Sequence, residues 1–143
     1  MSHDLIDSLK HLHTHAVNAR KGYEEALDDA GGKGLTPLFR QMIALHAGNA
    51  QELAAALNAR GETASPDGSF LATVHRTIIS IRSLFGGLDE SVLPGLIDGE
   101  DRNVKHYTDV LNATDTSADL RPALLAQRQR LEYAIVQMHA AET

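Results

Sequence analysis

Glu100 is the residue of this sequence best placed to do chemistry. It lies within Leu93, Ile97, Glu100, Val104, Tyr107 and Leu111, whose alternating spacing of four and three residues puts all six on one stripe of an α-helix. Five of the six suit a core. A carboxylate there costs several kcal/mol unless it is paired or metal-bound. Aligning the helices level by level names its neighbours. Folding a first hairpin about its loop near Lys33 sets Arg20 opposite His46, and folding a last one about Asp115 sets Glu100 opposite Leu131 and Glu132. With the Glu100 helix parallel to the second helix, Arg20, His46, Glu100 and Glu132 form one layer, each from a different long helix. Glu24 and Arg128 stand one turn away, as i,i+4 partners of Arg20 and Glu132. Tyr23 and Tyr107 flank the layer with hydroxyls that need partners.

Two readings of that layer compete. Carboxylates and a histidine inside a bundle can hold a dinuclear iron or manganese site, built from a Glu on each of two helices and Glu-x-x-His on each of the other two. Here the second helix offers His46-x-x-Asn49 without a Glu, and Glu132 is followed three residues later by Ile135. The first helix offers Arg20 at the layer and Glu24 from one turn off. An arginine opposes a divalent cation and is a ready counter-ion for Glu100 or Glu132. The other reading is a satisfied, metal-free Arg–Glu–His cluster. Among the remaining histidines, His11 and His15 are four apart and could clip a surface Zn²⁺ or simply share a solvated face. His13 is a packed polar residue near the inner edge, and His75 and His106 lie at helix margins where an interface could use them. No Gly-rich phosphate loop joins a strand to a helix, and no Ser-His-Asp set stands at local spacing.

The elements that position these residues are all helical. The first helix runs from Ser2 or Asp4 to Ala30 on a stripe of Leu5, Leu9, Leu12, Ala16, Ala19, Tyr23, Ala26 and Ala30, and Gly31-Gly32-Lys33-Gly34 stops it. Thr36-Pro37 opens the second as an N-cap followed by proline in the first turn. That helix turns Leu38, Phe39, Met42, Ile43, His46, Asn49, Leu53, Ala56 and Leu57 inward and ends at Arg60-Gly61. A shorter helix opens at Ser69, with Phe70, Leu71, Val74, Ile78, Ile81 and Phe85 inward, and closes at Gly86-Gly87. The Glu100 helix follows from about Asp89 to Asn112. Gly99 in its middle costs ~1 kcal/mol against alanine and points to close packing or access there. The last helix, Leu120 to Ala141, turns Leu124, Arg128, Leu131, Ile135 and Met138 inward. Two up-down pairs joined by a long crossover make a ferritin-like bundle.

Bulk properties agree. The 143 residues form one domain, 1–143, with 43% hydrophobic but only 4% aromatic residues and no tryptophan, an all-α composition. A net charge of −6 argues against nucleic acid or an anionic membrane as partner. No apolar run approaches the ~18 residues of a membrane span, and the start lacks the layout of a signal peptide. A cytoplasmic protein is the plain expectation. The absence of cysteine excludes disulfides and thiolate metal sites. An acidic surface and exposed histidines leave a monomer, a homodimer and an unidentified protein partner all open.

The chain resembles a group of small ferritin-like four-helix-bundle proteins of bacteria classed as a domain of unknown function. The resemblance spans nearly the whole chain. It rests on Lys21-Gly22-Tyr23-x-x-Ala26, Leu38-Phe39-Arg40-x-Met42, Glu52-Leu53 with Gly61, Gly68-Ser69-x-Leu71 with His75-Arg76, and Gly99-Glu100-Asp101 with Tyr107. It implies a ferritin-like fold and a stress-associated role. Ferritin-like proteins at large bind iron or manganese and oxidise Fe(II) or handle peroxide and oxygen. Carried over by position, Glu100 and Glu132 match the carboxylates of the third and fourth long helices, and His46 is a weaker match on the second. Arg20 and Ile135 stand where a Glu and a His belong. Two functions are therefore expected. The resemblance implies that Glu100, Glu132, His46 and Glu24 hold iron or manganese, with oxidase or ferroxidase-like activity. The alternative from the residues themselves is a non-catalytic scaffold or partner-binding protein whose core Arg-Glu-His layer is structural and metal-free.

Overall fold

The computed structural model describes residues 2–30, 36–62, 93–113 and 118–141. They form four α-helices: α1 (Ser2–Ala30), α2 (Thr36–Asn58), α3 (Leu93–Asn112) and α4 (Arg121–Ala141). No strand occurs among the described residues. The helix expected from Ser69 to Phe85 lies outside them.

Two hydrophobic clusters show how the helices run. Tyr23 and Ala26 near the end of α1 pack with Phe39 and Met42 at the start of α2, Leu93 and Ile97 at the start of α3, and Ala134 and Met138 towards the end of α4. At the other end Leu9 and Leu12 meet Leu53, Leu57, Tyr107, Leu111, Leu124 and Leu131. Hence α1 and α2 are antiparallel, α3 and α4 are antiparallel, and α2 and α3 run parallel, as the level matching requires. Side-by-side packing is most extensive within each hairpin, and α1 meets α3 over far less of its length.

Local signals account for several element ends. The α2 terminus is a Schellman motif: Glu62 N–H donates to the Leu57 carbonyl and Gly61 N–H to that of Asn58, with Gly61 at φ 77°. That left-handed conformation is the reason a glycine closes this helix. At the start of α2 the expected cap is not made, since Thr36 Oγ1 is buried and finds no partner among the described residues. Arg121 at the start of α4 donates to the Leu111 carbonyl at 2.7 Å, tying one end of the second hairpin.

The inward stripes match expectation at most apolar positions and differ at polar ones. On α3 it is Asn103, not Val104, that is fully buried beside Glu100, and on α4 it is Gln127, not Arg128. Spacing permits either choice, because an apolar helix face is more than 100° wide. Gly99 has open space where a Cβ would stand, so close packing is not what keeps glycine there.

Candidate functional site

Glu100 is buried in the middle of the bundle and only 5% exposed. Two side chains from other helices converge on one of its oxygens. The Tyr23 hydroxyl donates to Oε2 at 2.8 Å from α1, and His46 Nε2 lies 2.9 Å from the same atom from α2. Burial pushes the Glu100 carboxyl up, but the field and hydrogen bond of His46, together with the Tyr23 hydroxyl, outweigh it and hold the group below the usual carboxylate range. An ionised carboxylate only accepts, so His46 Nε2 carries the donated hydrogen. Burial, and then the negative charge of Glu100, raise Tyr23 well above the ordinary phenol value and keep it a donor. Its ring stacks on His46 with centroids 5.7 Å apart and also touches Phe39. One carboxylate thus fastens α1, α2 and α3 together.

A second polar chain lies on the far side of the interior. Tyr107 donates to Gln127 Oε1 at 2.7 Å, and Gln127 Nε2 donates to Glu52 Oε1 at 3.1 Å. Glu52 pairs with Arg130 at 2.9 Å, and Arg130 also donates to Asn49 Oδ1 at 2.9 Å. Burial foremost, and then the field of Glu52, push the Tyr107 phenol up. This chain links α3, α4 and α2 and leads from the core to an exposed ion pair. Sequence reasoning expected Tyr107 and Asn49 to face inward, and both are buried, but it set Tyr107 beside the Glu100 layer and missed Gln127, Glu52 and Arg130. The available signal was that Leu124, Gln127 and Leu131 continue the inward spacing as well as Leu124, Arg128 and Leu131 do.

Residues 4–113 match the family described as a domain of unknown function (DUF2383). The chain belongs to that family. The matched stretch takes in Tyr23, His46 and Glu100 and stops before α4, so within this DUF2383 chain the Glu100 cluster lies wholly in the shared region. No curated protein and no solved structure matches the chain.

The expected layer is only half assembled. Glu100 and His46 meet, with Tyr23 as the third member. Arg20 stays on the side of α1, where it bonds Glu24 at 3.1 Å with both side chains partly exposed. Glu132 is exposed, and Arg128, half-buried, bonds Thr108 rather than a carboxylate. Hairpin register explains the correction. Tyr107 faces Gln127, so seven residues earlier Glu100 comes level with Ala134, which is fully buried, and the neighbouring faces are Leu131 and Ile135. The assumed loop centre near Asp115 set that register two to three residues off.

These positions decide whether a dinuclear metal centre fits. Such a centre draws carboxylate and imidazole ligands from all four helices. Here α4 presents Leu131, Ala134 and Ile135 to the interior, and Glu24 is engaged at the surface. Among the described residues no three histidine or acidic side chains gather into a group able to hold an ion. Glu100 Oε1 and His46 Nδ1 are buried without partners among the described residues, as are Asn103 Oδ1 and Asn49 Nδ2 one turn from each. Among the described residues two facing ligands do not make an iron or manganese oxidase site.

Proposed function

We propose that this protein is a non-catalytic, ferritin-like helical bundle that serves as a scaffold or partner-binding protein, its core cluster being structural and metal-free. One observation carries this reading. The single carboxylate of the described interior is closed by two hydrogen bonds, from Tyr23 and His46, and each belongs to a different helix. A carboxylate used in this way holds helices in register, the best-attested role of buried polar groups. The ferritin-like assignment is supported by two antiparallel hairpins whose inner helices, α2 and α3, run parallel. Partner binding is supported by α4, where Leu125, Tyr133 and Val136 fall in one outward sector, Tyr133 being 65% and Val136 64% exposed.

Elemental analysis of untagged protein, incubated with Fe(II), Mn(II) and Zn(II) and then desalted, tests the metal-free core. The expected result is no core-bound metal, shown by equal content in wild type and Glu100→Gln. Near-stoichiometric iron or manganese that disappears in Glu100→Gln overturns the proposal and makes the Glu100–His46 pair a metal site.

A further inference from the structure

Three histidines meet where α1 crosses α3. His11 and His15 sit four residues apart on α1, and His106 reaches them from α3. The His11 and His106 rings are edge-to-face with centroids 5.1 Å apart, and His15 and His106 are 6.3 Å apart. His11 and His106 are exposed, whereas His15 is half-buried behind them. The same spot is the mouth of a surface hollow of about 300 Å³, lined by Asp7, His11, Leu12, His106 and Asp109 among others. This is also the less extensively packed of the two seams that α1 makes with α2 and α3. We propose that His11, His15 and His106 form an acid-operated latch on the α1–α3 seam, packed while neutral and driven open when protonated.

The charges facing the cluster decide which ring resists its proton. Asp7 on α1 and Asp109 on α3 line the hollow together with His11 and His106. His15 is not among the residues that line the hollow. From α3 it feels Glu100, which accepts from Tyr23 and His46, and it feels His46 from α2 and the other two cluster rings. Burial, the largest influence, and the three other imidazoles push His15 down to about 4, against the opposing pull of Glu100. A proton on His15 is therefore bound far better once the seam has opened and water reaches the ring. The sign follows: the seam is closed most firmly above the open-state value near 6.5 and weakens as pH falls from there towards 4. With those two values, opening is favoured about 30-fold more at pH 5 than at pH 8. His13, buried on α1 and also held down by burial, adds to acid sensitivity of the whole fold, so the readout must be local.

Amide hydrogen exchange of the full chain at pH 8 and pH 5, corrected for intrinsic rates, provides it. The expected result is a loss of protection of roughly 30-fold at pH 5 in the facing parts of α1 and α3, with α2 and α4 little changed. In His15→Asn the selective loss should vanish. Loss spread evenly over all four helices, or a selective loss that persists in His15→Asn, overturns the latch. Should His15→Asn fail to fold, the imidazole proton shifts of the wild type, followed from pH 8 to 4, decide instead. One ring of the cluster titrating well below the others supports the latch, and three rings titrating together near 6.5 overturn it.

Discussion

At the residue scale, the fold depends on a carboxylate placed where carboxylates rarely go. Glu100 escapes the desolvation penalty because a phenol and an imidazole from two other helices donate to it. Its pH behaviour follows from the direction of its shift. A carboxyl held below its ordinary value of 4.5 in the folded state contributes stability that is fully present above that value and is lost as pH falls through the folded one. Urea midpoints of wild type and Glu100→Gln between pH 7 and pH 3 should therefore show a constant gap down to about pH 5 that narrows below it. A gap of unchanged size at pH 3 would mean that folding does not shift the Glu100 carboxyl, and a gap that widens as pH falls would mean that it is protonated in the native state. Recognising Glu100 from sequence needed only the helical period and the cost of burying a charge. Level matching also put His46 in its layer and Tyr23 beside it, but it added Arg20 and Glu132, which lie outside the core because side-chain direction and hairpin register are not fixed by spacing.

At the element scale, boundaries were the most legible feature. The span of α1 and the closure of α2 at Gly61 follow from local signals: a hydrophobic period ended by glycines, and a left-handed residue that completes a Schellman motif. Faces were less legible. Arg128 and Glu132 were read as inward, yet Gln127 and Ala134 face the core beside Leu124, Leu131, Ile135 and Met138, a choice that apolar spacing alone does not resolve. Gly99 offers a test on the helix that carries Glu100. Its Cβ position meets nothing within 4 Å, so Gly99→Ala should stabilise the protein by about 0.5–1 kcal/mol through helix propensity. Thermal or urea unfolding measures this directly. Destabilisation would show that the backbone at Gly99 is needed for something an alanine blocks.

At the scale of the whole molecule, the all-helical architecture and the parallel run of α2 and α3 were readable from helix lengths and loop positions. The four-helix polar layer was not, because it depended on a hairpin register fixed by side-chain pairs such as Tyr107–Gln127 and Thr108–Arg128. Among the described residues the interior therefore holds two separate polar systems, the Glu100 cluster joining α1, α2 and α3, and the Tyr107 chain joining α3, α4 and α2. No described helix is long and apolar enough to cross a membrane. The outward apolar sector of α4 and the histidine cluster at the α1–α3 seam are the surface features on which the proposed partner contact and the proposed response to pH rest.

The central claim, that Glu100 is a structural tie between helices, is tested most directly by a double-mutant cycle. Tyr23→Phe, Glu100→Leu and the double variant would be compared with wild type by urea unfolding at pH 7 in the presence of EDTA. Each single change leaves the other partner buried and unmet, so the double variant should lose less stability than the two singles together. The expected coupling is about 1.5–3 kcal/mol, the worth of a hydrogen bond to a charged group. Additivity to within about 0.5 kcal/mol would contradict the account, because it would mean that the Tyr23–Glu100 contact does not hold the bundle together.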